Sequence, residues 1–218
     1  MNTVVLPPAE PAEILMLYPG GYPVHLDVPQ CDIGGAGTAM RFTLPLRGHN
    51  LPLRHARERK MVVALSGELR VRSGARVLAV LRPGEALLLP QGVGHRIFQH
   101  GPEPSTVGVA LWPGRVEEAF RALARAVEAR GFAREEAARI LASFGLAWDN
   151  GATHEARGDV AVLPACVALE RLPLLLAGAL RERWRTWLRL SPGTGRANRI
   201  EGMEPGATLA PVNASKRS

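Results

Sequence analysis

The chain has 218 residues, 46% hydrophobic and 22% charged, which suits one substantial globular domain with an extension. Its net charge of +7 rests almost wholly on arginine, with Lys60 and Lys216 the only lysines, and the excess is spread over both halves, which argues against a nucleic-acid patch. No apolar run approaches the ~20 residues that span a bilayer, no secretory leader is legible, and Cys31 and Cys166 have neither metal spacing nor a disulfide framework, so a reduced, cytoplasmic protein without membrane contact is expected.

Residues 1–37 alternate apolar stretches with Pro and Gly and read as an N-terminal arm with a first strand or two. The arm ends in a turn at Gly34, Gly35 and Gly37, which lacks the Lys-Ser/Thr of a phosphate loop. Over 38–115, apolar segments recur at 39–44, 61–65, 68–72, 77–81, 86–89, 95–98 and 106–111, separated by Gly, Pro and Ser. That rhythm predicts a mainly β domain, an antiparallel sandwich or barrel. After Pro113 the period changes: Val116, Phe120, Leu123 and Val127 mark an amphipathic helix ending near Gly131. A second helix over 133–144 closes at Gly145, and Trp148 is expected to pack back on this hairpin, so that 116–148 lies against the barrel. A loop over 149–160 and a short strand at 160–163 follow. A further amphipathic helix starts near Pro173 and reaches about 190, its apolar face made of Leu176, Leu180, Trp184, Trp187 and Leu188. The composition of 191–218 predicts a flexible tail.

Chemistry concentrates in 84–99, GEALLLPQGVGHRIFQ. Gly84, Pro90, Gly92 and His95 stand at fixed intervals, with the amide Gln99 four residues later. Proline belongs at a strand end, where no ladder N–H is needed, and Gly92 fits a turn. The run resembles the second motif of the cupin barrels, G-x5-P-x-G-x2-H-x3-N, with Gln99 in place of the last Asn. Residues 53–67 resemble the first motif, H-x-H-x3–4-E-x6-G, closing on Gly67. With a four-residue spacing its ligand positions hold Leu53, His55 and Lys60; with a three-residue spacing the histidine places hold Arg54 and Ala56. The first spacing retains a histidine and fits the strand that follows.

The chain thus resembles a small single-barrel cupin of the quercetin-dioxygenase-like group over about residues 38–147. The resemblance implies a double-stranded β-helix (jelly-roll) barrel with a C-terminal helical extension, and a pocket lined by His55, Lys60, His95 and Gln99. It implies that His55 and His95 are what remains of a site for divalent iron, manganese, nickel or zinc, and that the chain forms a homodimer. Family sites use three imidazoles and a carboxylate, donors suited to such ions. Here Leu53 offers no lone pair, and Lys60 sets an ammonium where a carboxylate belongs. At ~4 Å and an effective dielectric of about 20, each charge on the ion costs about 4 kcal/mol against that ammonium, unless burial deprotonates Lys60. No metal, or a weakly held one, is expected. Glu58, His49 and His100 are further donors without family spacing. His25, His49, His100 and His154 are expected at the surface.

Three functions follow. One is a barrel that binds a small organic ligand at His55, Lys60 and His95, Lys60 favouring an anion or a carbonyl and serving as proton donor or Schiff-base amine. Another is a metal-dependent dioxygenase or isomerase with an atypical ligand set. The last is a ligand-sensing regulator, although the mixed charges Arg134, Glu135, Glu136 and Arg139 suit a packed helix better than a phosphate-facing one.

Overall fold

A computed structural model describes residues 10–17, 21–113, 115–148 and 160–188. Its strands are β1 (Glu13–Met16), β2 (Pro23–Val28), β3 (Thr38–Leu44), β4 (Leu53–His55), β5 (Arg59–Ser66), β6 (Glu68–Ser73), β7 (Arg76–Leu81), β8 (Glu85–Leu89), β9 (Arg96–His100), β10 (Ser105–Trp112), β11 (Leu146–Trp148) and β12 (Val162–Pro164). Its helices are α1 (Val116–Arg130), α2 (Arg134–Ser143), α3 (Ala165–Leu169), α4 (Leu174–Arg183) and α5 (Arg185–Leu188).

From β3 to β10 the chain passes back and forth between two sheets. One has the order β3-β10-β5-β8 and lies within a seven-stranded sheet, β1-β2-β3-β10-β5-β8-β12. The other runs β7-β6-β9 and is continued to β4 by the bridge between Leu53 and His95. The paired strands are antiparallel throughout. This is the expected mainly β jelly roll with a helical C-terminal part. The sheets draw on more chain than 38–115: β1 and β2 extend one edge of the large sheet, β12 the other, and β11 pairs with β4.

Strand alternation sorts the side chains into two cores. On β5, Val62 and Ala64 face the barrel interior, while Met61, Val63 and Leu65 face the other way. On β10, Val107, Val109 and Leu111 point in and Ala110 and Trp112 point out. All eight residues of β10 are buried, because α3, α4 and α5 cover the outer face of the large sheet. A strand buried on both faces reads as a continuous apolar run, as 106–111 does.

The C-terminal helix departs from expectation. It divides at Trp184, after α4, and α3 precedes it as an additional short helix. The reason is the seat of Trp184. This side chain is fully buried, and its Nε1–H donates to Asp27 Oδ2 at 2.7 Å, while Arg41 Nε donates to Oδ1 at 3.0 Å. Burial pushes the Asp27 carboxyl up, against the pull of both donors. The indole needs a strand residue without a side chain beneath it. A Cβ on Gly108 would stand 2.9 Å from the ring. Trp184 thus packs on its own barrel. The expected loop, apart from Val160, and the expected tail over 191–218 fall outside the described residues.

The helical hairpin lies on the barrel as expected. Val116, Ala119 and Leu123 of α1 and Ala137 and Leu141 of α2 join the interior core. Trp148 meets the hairpin with its ring 6.4 Å from Phe132, beneath the Arg134 guanidinium. Glu117, which the sequence does not mark, ties α1 down. Its buried carboxylate accepts from Gln30 N–H at 2.7 Å, Thr38 Oγ1–H at 2.8 Å and Arg121.

Gly108→Ala forces a methyl against a ring that cannot retreat. We expect a loss of about 1–3 kcal/mol in urea denaturation, shrinking when Trp184→Leu is also present.

Candidate functional site

Four strands bring the site together. Lys60 shares the inward face of β5 with Val62 and Ala64, and pairs with Leu111 on one side and Leu89 on the other. Leu53 and His55 are buried on β4, with the partly exposed Arg54 between them. His95 begins the return into β9 and bridges Leu53. The turn after β8 holds the two motif regions together. Gly92 has φ +79°, a conformation that favours glycine, and its N–H donates to the His55 carbonyl at 2.7 Å.

Lys60 Nζ lies 2.8 Å from His95 Nε2. The other ring nitrogen, Nδ1, lies 3.1 Å from the Val93 carbonyl, which can only accept. Nδ1 therefore carries the hydrogen, Nε2 presents its lone pair, and Lys60 donates to it. The His55 ring sits 5.9 Å from that of His95, tilted by 23°. Both His55 nitrogens are buried without a hydrogen-bond partner. Glu58 faces it, its Oε2 buried, likewise without a hydrogen-bond partner, and 3.9 Å from Nδ1.

Burial dominates the electrostatics. It pulls the Lys60 ammonium down to about 7 from the ordinary lysine value. It also holds His55 and His95 well below the usual imidazole range, with the Lys60 charge acting in the same direction and the Val93 bond opposing it at His95. The site is thus neutral imidazole beside an amine that readily loses its proton.

Lys60 and His55 line a small cavity with Asn50, Leu53 and apolar side chains that include Met40, Phe42, Val109 and Phe120. It leaves about 30 Å³ of free space, room for two or three waters at roughly 10–15 Å³ each. α1 contributes Val116 and Phe120 to its wall.

These donors do not fit a family-type divalent site. The outward lone pair of His95 is taken by Lys60, Leu53 has none, and among the described residues no three His, Cys, Asp or Glu side chains converge on one point. The other expected residues lie elsewhere. Contrary to expectation, the cavity lining includes neither His95, which reaches it only through Lys60, nor Gln99. Gln99 Oε1 accepts from Arg47 N–H at 2.8 Å, and its Nε2 donates to the Gly101 and Glu103 carbonyls at 2.9 and 2.8 Å, so it staples two loops. His49 is exposed and caps its own turn at the Asn50 carbonyl, and His100 pairs with Arg70. His25 is half-buried, with Nδ1 enclosed and unpartnered. His154 lies outside the described residues. Asn50, which the sequence does not single out, holds β9 in place by accepting from Ile97 N–H at 2.7 Å.

The β8–turn–β9 hairpin carries the second motif, and the strand order β3-β10-β5-β8 over β4-β9-β6-β7 is that of a double-stranded β-helix. The fold is that of a cupin. No family model and no curated protein matches the chain. Solved structures that do match include TT1209 from Thermus thermophilus, at 26% identity over 36% of this chain and 74% of that one, TM-score 0.34. A cupin 2 domain-containing protein from Halorhodospira halophila matches at 18% identity over 52% and 85%, TM-score 0.38. A protein with a double-stranded beta-helix domain from Klebsiella pneumoniae matches at 16% over 45% and 83%, TM-score 0.39. At the centre of this barrel stands a buried lysine, Lys60. No helix among the described residues is long and apolar enough to cross a membrane.

The lysine gives a pH signature with a definite sign. Its folded-state value, about 7, is below the unfolded 10.5. Between these the unfolded chain binds the extra proton, so this group's destabilising effect is full below pH 7 and relieved as pH rises toward 10.5. The slope is at most ~1.4 kcal/mol per pH unit. Urea midpoints of the wild type are expected to gain on those of Lys60→Met across this window. Parallel curves would contradict the assignment.

Proposed function

We propose that this cupin binds a small organic molecule bearing a carbonyl or carboxylate at the Lys60–His95 pair, and that it does so without a metal. The observation that supports this reading most is the 2.8 Å contact between Lys60 Nζ and His95 Nε2 beside an apolar cavity. Cavities of this kind take their specificity from a few polar groups in an apolar wall. An entering carboxylate favours the charged form of Lys60, which burial alone disfavours, so anion and proton arrive together. The cavity volume restricts the ligand to a few heavy atoms unless the wall at Phe120 and Tyr22 yields.

A second reading, a metal-dependent oxygenase or isomerase with an atypical ligand set, draws on one observation: the unpartnered nitrogens of His55 near the unpartnered oxygen of Glu58. Those two side chains supply at most part of a coordination sphere. Self-association belongs to the proposal as well. It would use the outer edge of β1, the terminal strand of the large sheet, where Ile14 and Met16 are exposed.

Metal analysis and calorimetry on the purified full chain separate the readings. Substoichiometric iron, manganese, nickel and zinc are expected, together with glycolate binding that survives EDTA and weakens about tenfold or more in Lys60→Met, ~1.4 kcal/mol. One equivalent of such a metal, lost in His95→Ala, would favour the second reading.

A further inference from the structure

Lys60 combines four properties that rarely meet in one amine. It is buried, at 6% exposure. It donates to an imidazole lone pair, which fixes the direction of its hydrogen bond. It borders an apolar cavity. It also has beside it, on the same cavity wall, an imidazole with neither nitrogen satisfied. A buried polar group without a partner carries a penalty of about 1–3 kcal/mol, which a ligand atom can relieve.

Resting on the ligand-binding reading above, we propose that Lys60 forms a Schiff base with a two- or three-carbon carbonyl compound, the 2-oxo acids being the class that uses every group present. The nitrogen lone pair of the neutral amine attacks the carbonyl carbon. A C–N bond forms, and the π electrons move to oxygen. His95 Nε2, already the acceptor from Nζ, takes a proton from nitrogen and returns it to the oxygen, giving the carbinolamine. The C–O bond then breaks and the oxygen departs as water, leaving C=N. Amine and carbonyl are thus converted to imine and water, with no change of oxidation state and no further reagent. The proton that accompanies the carboxylate into the apolar chamber rests on the imine nitrogen in the product, so iminium and carboxylate together leave no net charge there. His55 N–H is the donor left over for the carboxylate. The 30 Å³ of free space is less than a two- or three-carbon acid needs, so the wall at Tyr22 and Phe120 yields as it enters, and larger carbonyl compounds are disfavoured.

The composition makes this directly testable. The chain has two lysines, and Lys216 serves as an internal control. EDTA-dialysed full-length protein is incubated near neutral pH with glyoxylate and cyanoborohydride, which reduces an imine to a stable amine, and is then mapped by peptide mass spectrometry. We expect the carboxymethyl increment on Lys60 to exceed that on Lys216 about tenfold or more, and to be absent from the corresponding peptide of Lys60→Met. His95→Gln should slow labelling of Lys60 and leave Lys216 unchanged. Benzaldehyde, too large for the cavity, should not discriminate between the lysines. Equal labelling of Lys60 and Lys216 by glyoxylate would overturn the proposal. In that event glycolate calorimetry separates the causes: binding lost in Lys60→Met leaves the pocket reading standing without the imine, whereas no binding by wild type removes both.

Discussion

Lys60 is tolerated inside the barrel because His95 turns a lone pair toward it. A charged ammonium brought out of water without a counter-ion costs several kcal/mol. Releasing the proton caps that cost, at about 1.4 kcal/mol for each pH unit by which the ordinary lysine value of 10.5 exceeds ambient pH, so the burden shrinks as pH rises. The neutral amine still needs an acceptor, and the bond from His95 Nδ1 to Val93 supplies one by fixing the tautomer. The same contact occupies the one free lone pair of the His95 ring. One hydrogen bond therefore does two things at once: it keeps a base in an apolar chamber, and it fixes which nitrogen of His95 is engaged.

The rest of the architecture serves to wall that chamber with apolar side chains. Helix α1 closes one side of it with Val116 and Phe120, held by Glu117 through the turn at Gln30 and through Thr38. The outer face of the large sheet is sealed by α3, α4 and α5, with Trp184 lying over Gly108 and bonded to Asp27. β5 and β10 are thus covered on both faces, and Lys60 meets solvent space only at the small cavity it lines. Burial of the strand and displacement of the lysine are the same fact seen at two scales.

Much of the barrel was legible because its signals are local. Strand rhythm over 38–115 reflects side-chain alternation, and Gly84, Pro90, Gly92 and His95 record a turn that the backbone enforces. Lys60 was readable as inward by counting from Gly67, since the period of two leaves it on the face of Val62 and Ala64. The missed features depend on distant partners. Nothing near Gln99 in sequence shows that its amide meets Arg47 N–H, so spacing alone suggested a pocket residue. β11 is three residues long and exists through its pairing with β4. The break at Trp184 follows from Asp27, 157 positions away, which no periodicity along the helix can reveal. Glu117 belongs to the acidic first turn of α1, and its role appears once Gln30 and Thr38 are seen beside it.

The most direct test is the ionisation of Lys60 itself, followed by NMR of selectively labelled lysine across pH in the full chain, with Lys60→Met to assign the signal. A resonance that loses its proton near pH 7 and couples to His95 Nε2 is the predicted result. A Lys60 that stays charged into the ordinary lysine range, or a His95 Nε2 bound to a metal instead, would contradict it.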